Sequence, residues 1–109
     1  MNIASIPFET VDWTETVADQ IRGRTGVALC RTRNFGEIRV RIVQYSPGYS
    51  ADHWCAKGHI LLCLQGELLT ELADGRRIRL LPGMTYHVGD DTELHRSSTA
   101  TGAKLFIVD

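Results

Sequence analysis

From Val27 onward the chain is cut into short β-compatible runs by turn residues at close intervals, and no other feature limits its fold so strongly. The runs are Val27–Arg33, Glu37–Tyr45, Ser50–Cys55, His59–Gln65, Leu68–Leu72, Ile78–Leu81, Thr85–Val88, Leu94–Ser98 and Lys104–Val108. Between them sit Asn34-Phe35-Gly36, Ser46-Pro47-Gly48, Gly66, Asp74-Gly75, Pro82-Gly83 and Gly89-Asp90-Asp91. Such punctuation is what a sandwich or barrel of antiparallel strands requires. Asp74-Gly75 is the strongest hairpin signal and predicts a type I′ turn, which needs positive φ at both central residues. In Glu37–Tyr45 the residues Ile38, Val40 and Ile42 share one face, and Arg39, Arg41 and Tyr45 share the other. One of these faces is core and the other polar or functional. Ile60–Leu64 is apolar on both parities, as a strand covered on both sides would be.

The segment before Val27 reads differently. Met1–Val11 is an extended arm carrying Ile3, Ile6, Pro7 and Phe8. Asp12 followed by Glu15 is a weak capping box, and Trp13, Val17 and Ile21 recur at intervals of four, which predicts one short helix. Gly23 and Gly26 end it. With 109 residues the chain suits one domain, residues 1–26 forming arm and helix and residues 27–109 the β region. A formal net charge of -1 gives no field for gathering phosphate backbones, which argues against a nucleic-acid partner. The longest apolar run, Ile60–Leu64, is too short to span a bilayer, and no signal peptide is recognisable, so a cytoplasmic protein without a membrane partner is expected. Three cysteines cannot all pair within one chain, and reduced thiols fit that address.

Chemistry concentrates in Ala51–His59, which holds His53, Cys55 and His59. On one strand His53 and Cys55 project from the same side. A tight turn at Ala56-Lys57-Gly58 then sets Cys55 opposite His59 across a hairpin, so that three metal-ligating groups share one patch. Cys63 and Gln65 share parity with His59 and line the same interior, provided no bulge resets the count.

These spacings resemble the motifs of the cupins. Gly48, His53-Trp54-Cys55, His59 and Gly66 are similar to the first cupin motif, with Cys55 for its second His and His59 for its Glu, and with one residue missing after the first Gly. Gly83, Gly89 and His95 follow the second motif more loosely, with Gly89 in place of its Pro and one extra residue before His95. The chain also looks like the narrower group of "DHCW motif" cupin-fold proteins in Tyr45–Tyr49, Ala51–Cys55, Lys57–Ile60, His95-Arg96-Ser97 and Lys104–Asp109. The resemblance implies an all-β, cupin-type antiparallel β-barrel of the jelly-roll kind, frequently dimeric, behind an N-terminal arm and one short helix. It also implies metal ligands at His53, Cys55, His59 and His95, the last resting on the family alone.

Imidazoles with a thiolate suit zinc, iron, nickel or copper rather than calcium or magnesium. If the three histidines bind and Cys55 stands aside, the metal keeps an open position; if Cys55 binds, a four-coordinate site closes. Without metal, Cys55 is a candidate reactive thiol, or the four groups are an inert lining. The expected substrate pocket adds Arg41, Tyr45, Cys63 and Gln65. Two functional readings result. One is a metal-dependent cupin acting on a small polar molecule by oxygenation, isomerisation or hydrolysis. The other is a metal-free, non-catalytic module that binds a small molecule in the same cavity. A purely structural homodimer is a third. His87, Cys30 and Trp54 are read as structural, with Trp54 pointing outward; Asp52 either orients an imidazole or caps a turn.

Overall fold

The structure is a computed structural model that describes residues 3–109; Met1 and Asn2, the start of the expected arm, lie outside the described residues. Among the described residues there are nine strands and no helix. They are β1 (Asp19–Arg22), β2 (Val27–Phe35), β3 (Ile38–Tyr45), β4 (His59–Gly66), β5 (Leu68–Leu72), β6 (Arg77–Leu80), β7 (Thr85–Val88), β8 (His95–Ser98) and β9 (Ala103–Val108). All named strand pairs are antiparallel and fall into a six-stranded sheet, β1-β2-β3-β9-β4-β7, and a three-stranded sheet, β6-β5-β8. One core joins the two sheets, with Val43, Leu61, Cys63, Leu105 and Ile107 from the larger and Leu68 and Leu80 from the smaller.

The expected short helix is absent. Asp12 does cap a turn, its carboxylate accepting from the Thr14 amide (2.9 Å) and hydroxyl (2.6 Å), but the turn does not propagate. Val17 and Ile21 are 82% and 52% exposed, so their spacing marks no buried face. β2 instead offers an open ladder, and Asp19–Arg22 pairs with Val27–Cys30. Residues before Val27 therefore contribute a strand to the larger sheet.

The Asp74-Gly75 turn also departs from expectation. It closes through the Gly75 amide donating to the Leu72 carbonyl (2.9 Å), with positive φ at Gly75 (99°) and not at Asp74. One left-handed residue suffices for this longer loop. Ser50–Cys55 is no regular strand; it bends at Asp52 and His53 and touches β8 through the bridges Ser50↔Ser98 and Cys55↔His95. In β3 the face with Arg41, Val43 and Tyr45 looks inward, its cross-strand partners Ile107, Leu105 and Ala103 all being buried. Among the described residues, no helix is long and apolar enough to cross a membrane.

Candidate functional site

At one end of the interior, both sheets deliver polar side chains to a single cavity of about 170 Å³. Cys55 does not face His59 across a hairpin. It pairs instead with His95, the Cys55 amide donating to the His95 carbonyl (2.7 Å) and the His95 amide to the Cys55 carbonyl (3.1 Å). Ala56-Lys57-Gly58 is thus the passage from beside the small sheet into the large one. Gly58 is needed there because a Cβ would lie 2.5 Å from the Asp90 amide nitrogen and 2.7 Å from the Gly89 carbonyl carbon. Its own amide donates to Asp90 Oδ1 (2.6 Å).

His59 opens β4 and His95 opens β8, and their rings meet edge to face at 4.9 Å. His95 is 2% exposed, and its Nδ1 lies 2.9 Å from the Glu93 carbonyl. A carbonyl only accepts, so a singly protonated ring carries its proton on Nδ1 and presents a lone pair at Nε2. That Nε2 is buried without a partner. His59 Nε2 shares a hydrogen bond with the Tyr86 hydroxyl (2.8 Å), while its Nδ1 is buried, unpartnered and 4.0 Å from Asp109 Oδ2. Burial, then the neighbouring His95, pushes the His59 pKa down to about 4, so the ring is neutral near pH 7. Burial likewise pushes the Tyr86 phenol up to about 12.

Asp109 anchors the charges behind this pair. Arg39 donates to both of its carboxylate oxygens at 2.8 Å, and Arg41 Nη2 to one of them at 3.1 Å. Burial alone would raise the carboxyl, but Arg39, Arg41 and His59 outweigh it and leave the pKa below its ordinary value. Arg41 Nε is buried without a partner. Tyr45 and Tyr49 stack beside the cavity at 4.0 Å and 5° and give it a flat wall.

Of the expected metal ligands, His59 and His95 come together. Cys55 lines the same cavity, its Sγ making only a 3.9 Å contact with the Lys57 carbonyl. His53 stands at the rim, its side chain 81% exposed and its Nδ1 2.5 Å from Asp52 Oδ1. The bend at Asp52-His53 breaks the alternation that would have aligned His53 with Cys55. Among the described residues, no group of three or more His, Cys, Asp and Glu side chains converges to hold a metal ion. As placed, the four-residue set does not fit a metal: two imidazoles converge and the other two groups do not complete them.

Of the expected substrate residues, Arg41 and Tyr45 line the cavity. Cys63 is fully buried in the core, and its thiol is pushed up by burial. Gln65 is exposed in a separate cleft with Gln44 and Lys104. The cause is a bulge between Cys63 and Gln65, where β4 pairs Cys63 with Leu105 but Gln65 with Lys104. His87 is exposed on the face of β7 opposite Tyr86, and the Trp54 ring is covered by the Arg96 guanidinium at 4.2 Å. All three cysteines are free. Sequence reasoning missed Tyr86 and Asp109. Asp109 carried a signal, being a carboxylate on the parity of Leu105 and Ile107; Tyr86 carried none, since its facing depends on register.

No protein-family model and no curated protein matches the sequence. Solved structures do. A predicted oxalate decarboxylase from Thermotoga maritima superposes with a TM-score of 0.78 at 18% identity, covering 92% of this chain and 96% of that one. The fold is that of the cupins. A cupin superfamily protein from Desulfitobacterium hafniense gives a TM-score of 0.63 at 17% identity, covering 81% of this chain and 79% of its own. A sugar phosphate isomerase of the cupin superfamily from Silicibacter pomeroyi gives 0.69 at 15% identity, covering 92% and 74%. At these identities the likeness establishes the cupin fold alone.

Proposed function

We propose that this small cupin domain binds a small polar molecule in the cavity between Arg41, His59, Tyr86 and His95. One observation carries the reading: of the four buried side-chain atoms without a hydrogen-bond partner among the described residues, three belong to residues lining that cavity, namely Arg41 Nε, His59 Nδ1 and His95 Nε2. A buried polar atom left unpaired costs about 1–3 kcal/mol, so three together are best explained by an occupant that pairs with them. Two structural neighbours are named for small polar substrates, oxalate and sugar phosphate, which is in keeping with this reading without naming a substrate. Nuclear magnetic resonance against a panel of small polar compounds tests it. Shifts should gather at Arg41, His59, Tyr86 and His95, and a panel that moves only the Gln65–Lys104 cleft, or nothing, overturns the proposal.

A second reading is the metal site expected from sequence, with His53, Cys55, His59 and His95 around one transition ion. The fixed His95 tautomer supports it, because a carbonyl on Nδ1 and a free Nε2 are how ligating histidines are commonly arranged. It further requires His53 to leave Asp52 and turn inward. Protein purified without chelator or metal-affinity resin should then contain near-stoichiometric metal by elemental analysis, and His95→Ala should lose it. The finer placement in the DHCW-motif group rests on the sequence segments alone and brings no reaction with it.

A further inference from the structure

We infer that the preferred occupant of this cavity is a small hydroxycarboxylate, its carboxylate taken by Arg41 Nε and its hydroxyl donating to His95 Nε2. The inference rests on the proposed binding role and narrows it to one chemical class.

The Arg41 guanidinium is always protonated, and its orientation is set from behind. Its Nη2 donates to Asp109 (3.1 Å), whose side chain is 0% exposed and clamped by both forks of Arg39 at 2.8 Å. Arg41 lines the cavity, and its buried Nε keeps an N–H without a partner. Two guanidiniums, Arg39 and Arg41, share the one side-chain carboxylate of Asp109. The other nearby carboxylate, Asp52, sits at the rim, 59% exposed and bonded to His53. A charge-assisted bond to a carboxylate is roughly twice as strong as one to a neutral carbonyl.

His95 supplies the second half of the selection. Its Nε2 offers a lone pair and so requires a donor on the ligand. Sulfate brings none. An ammonium group would satisfy His95 but bring its charge toward the Arg41 guanidinium, and a neutral polyol would give Arg41 Nε no charge-assisted partner. A hydroxyl on an otherwise anionic molecule meets both demands, and His59 Nδ1 is free for a further polar contact. The stacked Tyr45 and Tyr49, with Leu61 and Ile107, bound the remaining space, and about 170 Å³ suits a molecule of a few heavy atoms.

The test uses the whole chain with glycolate and lactate as probes at pH 7, against glycolamide, lactamide and sulfate. Glycolate or lactate should shift the Arg41 Nε–H and His95 ring-nitrogen resonances of the wild-type protein. The matching amides should bind about tenfold or more weakly, as should sulfate, and Arg41→Lys should lose about tenfold in carboxylate affinity. Because the wild-type resonances report directly, the result stands even if the Arg41 variant fails to fold. Amides that bind as well as the acids, or sulfate that binds more tightly without moving His95, overturn this inference and leave the binding role intact. No response at any cavity resonance to acid, amide or sulfate overturns both.

Discussion

The two ends of the interior are built from the same strands with opposite chemistry. Along β3 the inward residues run from Val43 to Arg41 and Arg39; along β9 they run from Leu105 through Ile107 to Asp109; along β4 they run from Cys63 through Leu61 to His59. At one end Val43, Cys63, Leu68, Leu80 and Leu105 are at most 1% exposed, all-apolar and free of polar demands. A step of two to four residues along each strand reaches the other end, where guanidinium, carboxylate, imidazole and phenol meet. The comparison teaches that facing inward does not decide a residue's role here. The dry end stabilises the fold, while the polar end stores unpaired hydrogen-bonding groups whose desolvation that stability offsets.

The sharpest test of the dry end is Leu105→Ala. Leu105 is fully buried between β3 and β4, so the lost transfer energy and the resulting cavity should cost about 3–5 kcal/mol, read from the midpoint of urea unfolding. A loss under about 1 kcal/mol would mean that this end is not the closely packed half.

The polar end should reveal itself through pH. His59 is neutral when folded, with its pKa lowered to about 4 from an ordinary 6.5. Between those values the unfolded chain takes up a proton that the folded chain refuses, so stability falls as pH drops from 6.5 toward 4. A shift of that size corresponds to about 3 kcal/mol in total, and His59→Gln should flatten this part of the profile. A separate loss should follow at lower pH. Asp109 has a lowered folded pKa, so its contribution is present above its unfolded value near 3.8 and disappears as the folded carboxyl protonates. A wild-type profile flat from pH 7 to 4 would break the proposed difference between the two ends.

Asp109→Asn addresses the same end at neutral pH. It leaves Arg39 and Arg41 without their shared counter-charge, and chemical denaturation should show a loss of about 2 kcal/mol. That is at the low end for a broken buried pair, because Arg39 is 41% exposed and water screens it.

How far each end could be read in advance follows from the same geometry. The dry end was legible because alternation and turn spacing are local: the strand Leu68–Leu72 forms at the expected residues. The polar end depends on pairings that spacing does not encode. Cys55 was expected opposite His59 and pairs with His95 instead, because a chain leaving one sheet for the other resembles a hairpin turn when only its length is visible. Gln65 was lost from the pocket to a single bulge. The short helix failed for a related reason, since a Trp-Val-Ile spacing whose Val17 and Ile21 stay exposed cannot compete with the open edge of β2.

The smallest expected effect discriminates most finely between the two readings of the site. His53 is 81% exposed and bonded only to Asp52, so His53→Ala should change stability by no more than about 0.5 kcal/mol. Its influence on the cavity should be equally slight if the site is the His59, His95 and Arg41 arrangement described above. Cobalt(II) absorbance titrations of His53→Ala and His95→Ala separate the cases. If the wild type binds cobalt with four-coordinate visible bands and both variants lose them, the Asp52-His53 bend opens to bring a third imidazole inward, and the polar end is a metal site. If neither the wild type nor His53→Ala gives such bands while His95→Ala loses only the carboxylate response, the unpaired nitrogens serve a small molecule directly, and His53 belongs to the surface.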